Sequence, residues 1–457
     1  MTMQIIKFIR SRSLLNGLIM LALGLSTSLA QAFDSGSTGA NGPFPPIALP
    51  LGTTQIVLDL RDGTVVYLPD NTTATLPAVP GGGFTDGIVH FTTIDVPSGV
   101  TLSFAPNALG TPVSLLAQGD VTVSGIISLS GEAGGASGNS RGGRGGPGGF
   151  KGGNGEIVKS SPGAGSGLGP GAATGAGPLA DSDGIGGGGG GGYGTPGANG
   201  QNASPGNSGP AYGTTNILPM LGGSGGSGGT SDTDVGPTGG GGGGGGGALL
   251  IASSAGIDVQ GSILAKGGKG GNGLGSSASS GGGGSGGAIR LMAEILSGNG
   301  SLDAGGGAGG SAFGRNGGVG GLGRIRLEAV TFSFAGSTTG VVNNGGIGAV
   351  FLPSPPSVLI TAIGGGAVTN MPTGNIGGTD IVLNSPGTIT IDLVAANVPV
   401  GTSIAVTAKP ETDGITIGPV LSPGLSGTFD ASSTTVDLTF PSAGLFFIEA
   451  RATFETP

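Results

Sequence analysis

The chain has 457 residues, enough for more than one domain, and its net charge of −9 disfavours nucleic acids and anionic lipids as partners. It contains no cysteine and one histidine, His90, which excludes disulfide bonds, thiolate metal sites and histidine-rich metal sites. Glycine contributes 110 residues, whereas hydrophobic residues make up 36% and charged residues 9%. This balance fits neither a disordered chain nor collagen, because apolar residues are abundant and no G-X-Y period with proline runs through it.

Residues 1–32 have the pattern of a secretory signal peptide. A basic start, a short apolar core and a small-x-small site follow one another: Lys7, Arg10 and Arg12; Leu14 to Leu25; Ala30-Gln31-Ala32. About 12 apolar residues are too few to span a bilayer. We expect cleavage between Ala32 and Phe33, which leaves a charge of −12 (13 basic against 25 acidic residues). The predicted location is extracellular or at the cell surface, with periplasmic or outer-membrane retention as alternatives, and no membrane span.

The next segments predict an irregular arm followed by strands. FDSGSTGANGPFPP is rich in turn residues, which favours an arm. Residues 54–60 and 64–69 alternate apolar and polar side chains around Asp62-Gly63, a hairpin signal. Residues 87–104 and 111–130 continue the strand pattern.

A repeat organises the chain from Gly239 to Gly340. A glycine run, an apolar strand and a return to glycine recur at residues 245–271, 286–310 and 321–336, and a related copy spans 111–135. Three triplets have a polar residue between two β-branched ones, and a glycine follows each: Ile94-Asp95-Val96 with Gly99, Val121-Thr122-Val123 with Gly125, and Ile257-Asp258-Val259 with Gly261. Short strands joined at glycine corners predict the coils of a parallel β-helix, a solenoid whose inward residues stack in ladders.

Long glycine-rich insertions separate the copies, at 131–248, 266–287 and 305–323. One interpretation is that they are loops on one edge of the solenoid, either ordered or disordered. The other is that glycine allows extended, polyproline-II-like chains to pack in layers joined by backbone hydrogen bonds. Because the insertions fall at equivalent points of the repeat, we expect long glycine-rich loops that project from one edge of the solenoid, and the sequence leaves open whether these loops are ordered.

The character of the chain changes after residue 352. Pro353-Ser354-Pro355-Pro356 predicts a stiff linker between a glycine-rich β-helix domain at 33–352 and a second domain at 357–457. About seven short alternating strands in this second domain predict an antiparallel β-sandwich of immunoglobulin-like type. The cysteine and tryptophan hallmarks of antibody domains are missing.

Few residues point to chemistry. His90 lies inside a strand pattern, where a surface residue is the simplest interpretation. Asp95 and Asp258 occupy equivalent repeat positions, but Thr122 stands at that position in the copy between them. The other charged residues of the repeats are scattered: Asp120, Asp303, Arg290, Arg324 and Arg326. We predict no catalytic residues and leave enzymatic activity undecided, because a site needs convergent groups.

Cofactor signals are also weak. Asp181-Ser182-Asp183 and Asp232-Thr233-Asp234 offer oxygen ligands for calcium, but neither continues into an EF-hand loop. The all-glycine run 186–192 lacks the lysine and helix of a phosphate-binding loop. We predict no cofactor and no metal site, with calcium as the remaining option.

Several stretches resemble bacterial glycine-rich exported proteins: FDSGSTGANGPF, FTTIDVPSGVTLSF, VSLLAQGDVTVSGIISLSG and GGGGSGGAIRLMAEILSGNGSL. The tail VPVGTSIAVTAKPE…SAGLFFIEARATF is similar to the β-sandwich modules appended to them. The resemblance implies a pectin-lyase-like parallel β-helix and provides no catalytic residues for this chain.

These observations favour an exported structural or adhesive protein of the cell surface or extracellular matrix. Its expected partners are a polysaccharide or other cell-surface polymer, or further copies of itself. The first alternative is a polysaccharide lyase or hydrolase, which requires clustered carboxylates beside basic residues. The second is binding to ice or a crystal surface, which requires regularly spaced threonines on a flat face. A smooth face of serine, threonine and asparagine would favour adhesion.

Overall fold

The computed structural model describes residues 32–78, 84–107, 110–157, 163–176, 185–202, 204–232, 238–368, 381–383, 385–410 and 416–454. In these residues the chain is all-β, and the one helical element is a short 3-10 turn at Phe84–Asp86. Residues from Asp34 onward belong to one compact unit. The predicted signal peptide up to Gln31 lies outside the described residues.

In the described residues before the proline-rich linker there are sixteen strands. They are β1 (Gln55–Asp59), β2 (Thr64–Leu68), β3 (Thr72–Thr75), β4 (Ile88–Phe91), β5 (Ile94–Val96), β6 (Thr101–Ala105), β7 (Val113–Ala117), β8 (Val121–Val123), β9 (Ile126–Ser128), β10 (Ala248–Val259), β11 (Ser262–Leu264), β12 (Ala288–Ser297), β13 (Ser301–Asp303), β14 (Arg324–Phe332), β15 (Ser337–Thr339) and β16 (Val341–Gly345).

These strands form two sheets in which successive passes of the chain lie side by side. The first has the order β3-β2-β1-β6-β9-β11-β13-β15, and the second runs β4-β7-β10-β12-β14-β16, with β5 and β8 joined to β10. From β4 onward the chain alternates between the sheets, and neighbouring strands in each are parallel. The hairpin of β1 and β2 is antiparallel, as Asp62-Gly63 predicts, and β3 adds a second antiparallel hairpin.

The register of the second sheet stacks equivalent apolar residues. Ile94–Val96, Val121–Val123 and Ile257–Val259 pair residue for residue, so their predicted equivalence is confirmed. Leu115, Ile251, Leu291 and Leu327 form one inward ladder, and each is at most 2% exposed. These ladders share one hydrophobic core with the inward residues of the first sheet. Burial of each such side chain contributes about 1.5–3 kcal/mol.

The arm closes the beginning of this core. Phe44 is 2% exposed, and its ring centroid lies 5.3 Å from that of Phe91. Phe44 also donates its N–H to the carbonyl of Thr93 (2.9 Å) and accepts from Asp95 N (2.9 Å). The irregular arm of the sequence therefore acts as the first cap of the stack.

The glycine-rich insertions form a packed layer, which we call the glycine layer. The backbone N–H groups of residues 239–247 donate to carbonyl groups of three neighbouring segments. The acceptor segment changes with each residue and recurs every third residue, in the order 150–156, 279–285 and 129–135. The carbonyls of residues 239–247 accept from three others, at 143–146, 223–229 and 268–271. The N–H and C=O groups therefore point in the same direction at every third residue. This is the geometry of a polyproline II helix, which has three residues per turn and no internal hydrogen bonds.

Glycine is required here because the chains lie in contact. A Cβ added to Gly243 would stand 2.0 Å from the carbonyl oxygen of Gly268. Side chains occur instead at every third position of GGSGGSGGT (222–230), where the hydroxyls of Ser227 and Thr230 each accept a backbone N–H at 2.8 Å. The predicted projecting loops are therefore wrong for the described parts of these segments, which pack as a layer of the kind that the second interpretation describes.

Eight further strands follow the linker: β17 (Ser357–Ile363), β18 (Gly366–Ala367), β19 (Gly387–Ala396), β20 (Ile404–Pro410), β21 (Ile417–Leu421), β22 (Ser426–Gly427), β23 (Ser432–Phe440) and β24 (Phe446–Ala452). They form two antiparallel sheets, β18-β17-β19-β23-β22 and β21-β20-β24. Buried residues of both sheets belong to one hydrophobic cluster.

The smaller antiparallel sheet contacts the glycine layer through an ion pair. Lys409 Nζ lies 2.8 Å from Glu449 Oε2. The same ammonium donates to the carbonyl of Gly167 (3.0 Å), and the second carboxylate oxygen accepts from Gly169 N (2.9 Å). One charge pair therefore satisfies backbone groups of a segment that has few side chains.

Candidate functional surface

The outward side of the first parallel sheet carries two rows of short polar side chains. The rows cross β6, β9, β11, β13 and β15, and they read Thr101, Ile126, Ser262, Ser301, Ser337 and Ser103, Ser128, Leu264, Asp303, Thr339. Seven of these ten residues carry a hydroxyl group. We call these seven the hydroxyl face: Thr101, Ser103, Ser128, Ser262, Ser301, Ser337 and Thr339.

The core fixes the direction of these hydroxyl groups. Ile127, Ile263 and Leu302 are fully buried between the rows. Since side chains alternate along a strand, their neighbours must point to the opposite side, where all ten row residues are half-buried or exposed. With strands about 4.8 Å apart, five strands give rows of about 19 Å.

The charge on this face is small. Lys266 Nζ lies 3.3 Å from Asp303 Oδ2 at its side, and the lysine side chain is 49% exposed. Gln55 on the neighbouring β1 donates from Nε2 to Ser103 Oγ (3.0 Å). The surface thus offers hydroxyl donors and acceptors beside two apolar side chains, Ile126 and Leu264.

The acids at equivalent repeat positions do not converge. Asp95, Thr122 and Asp258 are in register across β5, β8 and β10, so the threonine separates the two carboxylates. Asp258 accepts from Gln260 Nε2 (3.0 Å) and from Ser297 Oγ (2.9 Å). Asp120 directly precedes β8 and accepts from Gly256 N (3.1 Å). These acids therefore belong to polar strand faces and do not form a cluster of convergent carboxylates.

His90 anchors the arm. Its Nδ1 accepts from Thr38 N (3.2 Å), and its backbone N–H donates to Asn41 Oδ1 (2.7 Å). Its contacts are therefore structural.

Two of the arginines that look scattered in the sequence meet at one glutamate. Arg290 is 1% exposed, and its Nε and Nη2 each lie 3.1 Å from Glu328 Oε1. Arg326 Nε donates to the same oxygen (3.0 Å), while Gly348 N donates to Oε2 (2.7 Å). Burial lowers the pKa of Arg290 from its ordinary value, and Glu328 opposes that shift. Every polar atom named here is paired within the protein, so the cluster holds residues 348–350 against the second sheet.

Arg324 has a different environment. It donates from Nη2 to the carbonyl of Tyr212 (2.7 Å), and its guanidinium carbon lies 5.6 Å from the ring centroid of Tyr193. Burial raises the pKa of Tyr193 above its ordinary value. This contact joins the last parallel coil to the glycine layer.

The remaining predicted positions lie at or beyond the margins of the described chain. Ala30 and Asp181-Ser182-Asp183 lie outside it, and Ala32 and Phe33 stand at its start. Asp232 is described, whereas Thr233 and Asp234 are not. In the described ranges, no three acidic or histidine side chains are grouped so that they could hold a metal ion. None of the helices in that part of the chain is long and apolar enough to cross a membrane.

The sequence interpretation missed the hydroxyl face, although a signal for it exists. Serine follows the corner glycine in three copies, at Gly261-Ser262, Gly300-Ser301 and Gly336-Ser337. Three serines in register after a turn indicate one outward row, which the β-branched triplets alone did not indicate.

Comparison with protein-family models, with curated proteins and with solved structures finds no match to this chain.

Proposed function

We propose that the parallel strands form a β-helix of pectin-lyase-like type and that the C-terminal strands form an immunoglobulin-like β-sandwich. The strand order supports the first part, since each pass of the chain adds one strand to each of two sheets. The second is supported by two antiparallel sheets with a common buried cluster. On this basis we group the chain with the bacterial glycine-rich exported proteins that it resembles.

We further propose that the protein is exported and acts as an adhesive or structural protein that binds an extended polysaccharide on the hydroxyl face. The observation that carries this proposal is the pair of rows with seven hydroxyl groups on five strands. Hydroxyl groups both donate and accept, which suits the hydroxyl-rich edge of a sugar chain. Rows of about 19 Å offer repeated contacts to an extended polymer.

The charge favours a neutral polymer over an acidic one. The chain has a formal charge of −9, and the single lysine at the face, Lys266, is paired with Asp303. An anionic polysaccharide would therefore meet repulsion and gain no free cation at this surface. Binding should change little with salt, because hydrogen bonds and apolar contacts carry it.

Residues 33–457 can be tested against neutral and acidic polysaccharides from plants, algae and bacteria. Bound protein is measured by co-sedimentation, and released reducing ends or unsaturated products are measured in the same tubes. Ser301→Lys places a long charged side chain in the middle of the hydroxyl face. Ser442→Lys adds the same side chain at an exposed position of the C-terminal region.

The proposal is supported if the unaltered protein binds a neutral polysaccharide and releases no sugar product. Ser301→Lys should then lose this binding, whereas Ser442→Lys should keep it. Equal binding by the two variants would exclude this face as the binding surface. Product release would replace the adhesive function by an enzymatic one.

A further inference from the structure

The two ends of the parallel stack differ in how they are protected. At the beginning, the arm pairs with residues 90–95 and contains Pro43, Pro45 and Pro46. The first sheet begins there with β3, which starts two residues after Asp70. Prolines and charges are the usual means by which a sheet edge avoids pairing with another strand.

At the other end, no described residue outside the stack pairs with the free edge of the last coil. β15 is the final strand of the first sheet and β16 that of the second, and all three residues of β15 are exposed. β16 pairs only with residues 324–328 of β14, so residues 329–332 form a further part of this edge. The sequence contains no charged residue between Glu328 and Asp380, and no proline from 329 to 352.

Hydrogen-bonding groups are available along this edge. Val341 N donates to the carbonyl of Gly323 (2.9 Å), so alternate residues of β16 are directed towards β14. By this alternation, the N–H and C=O groups of Val342 and Asn344 point away from the sheet. The edge is flanked by exposed apolar side chains: Val330 (69%), Phe332 (45%) and Val342 (37%).

We propose that this open end is a self-association surface that joins two copies of the chain in a closed dimer. Identical edges related by a two-fold axis run antiparallel, so β16 of each copy can pair with β16 of the other. β15 and β16 carry no charged side chain, so the edge strands of two copies bring no like-charge repulsion of their own to this surface. Because the arm caps the opposite end, head-to-tail addition is blocked and association stops at two copies.

The mass of residues 33–457 in solution tests this inference, measured by sedimentation velocity from low to high micromolar concentration. We expect a concentration-dependent monomer–dimer equilibrium. Val342→Lys brings two ammonium groups together across the two-fold axis and should raise the dimer dissociation constant at least about tenfold. Val319→Lys is the matched control, since Val319 is 53% exposed in the glycine layer and does not belong to this edge.

Hydrogen exchange provides a readout that needs no variant. The amides of Val342 and Asn344 should become more protected as the concentration of the unaltered protein rises. A monomer at every concentration, or a dimer unaffected by Val342→Lys, would overturn the proposal, and growth into filaments would overturn the closed assembly. None of these results depends on polysaccharide binding.

Discussion

The glycine layer makes a prediction that runs against the usual effect of a glycine-to-alanine substitution. At a glycine whose backbone suits any residue, alanine stabilises a protein by about 0.4–1 kcal/mol, because the unfolded chain loses freedom. Gly243 is not among the positive-φ glycines, so alanine could adopt its conformation. Its added Cβ, however, would stand 2.0 Å from Gly268 O and 2.5 Å from the carbon of the same carbonyl.

The atoms that a methyl group would meet at Gly243 belong to the backbone, which cannot rotate away. Overpacking costs about 1–3 kcal/mol and occasionally more, and a backbone contact belongs at the upper end. After subtraction of the unfolded-state gain, we expect a net loss of about 2–3 kcal/mol. With an unfolding entropy of about 2.1 cal/mol/K for each of roughly 425 residues, this lowers the melting temperature by about 3 °C.

Gly346→Ala is the matched control for Gly243→Ala. The two variants remove the same amount of unfolded-state freedom, but a Cβ at Gly346 has no heavy atom within 4 Å. Differential scanning calorimetry should therefore find Gly346→Ala unchanged or up to about 1 °C more stable. Equal melting temperatures for the two variants would refute the close packing of the layer.

Two further predictions concern buried groups. Glu328→Gln removes the charge that Arg290 and Arg326 share, and breaking a buried pair in this way costs about 3–5 kcal/mol. Calorimetry should therefore give Glu328→Gln a clearly lower melting temperature than the control Glu132→Gln, which changes an exposed residue. Equal melting temperatures would contradict the shared pairing. Burial raises the pKa of Tyr193 in the folded protein, so the resulting stability is present below the ordinary value of about 10 and is lost as the pH rises above it. The urea concentration at the unfolding midpoint should thus fall less steeply from pH 8 to 11 in Tyr193→Phe than in the unaltered protein. Equal slopes would show that Tyr193 does not cause this loss of stability.

Sequence periodicity predicts most of the strands of this protein, but it does not indicate β3, whose sequence Thr-Thr-Ala-Thr lacks a clear alternation of polar and apolar residues. Alternation of polar and apolar residues places one side of each strand in the core, as in the triplets that begin at Ile94, Val121 and Ile257. The prediction of projecting loops for the glycine insertions is wrong, because glycine suits both a loose loop and a close contact. The three-residue spacing of Ser224, Ser227 and Thr230 distinguishes the two, since only a helix with three residues per turn directs them to one side.

The surface features depend on which residues become neighbours, and spacing along the chain does not determine this. Arg290 and Glu328 lie in different repeats, so they meet only because β12 and β14 pair in one register. The same register lines up Ser262 with Ser301 and Ser337. A one-residue shift would turn such side chains to the opposite side of the sheet.

The partners inside the glycine layer also have a consequence for how fast the protein folds. Gly241 donates to the carbonyl of Gly135, and Gly318 to that of Gly188, so some hydrogen-bonded partners are more than 100 residues apart. These bonds cannot form before distant segments meet, and each such closure costs entropy in advance of its contacts. Such a high contact order predicts slow folding, on the scale of seconds or longer. The newly made chain would thus stay unfolded for some time, which is the state that the proposed export across a membrane would require.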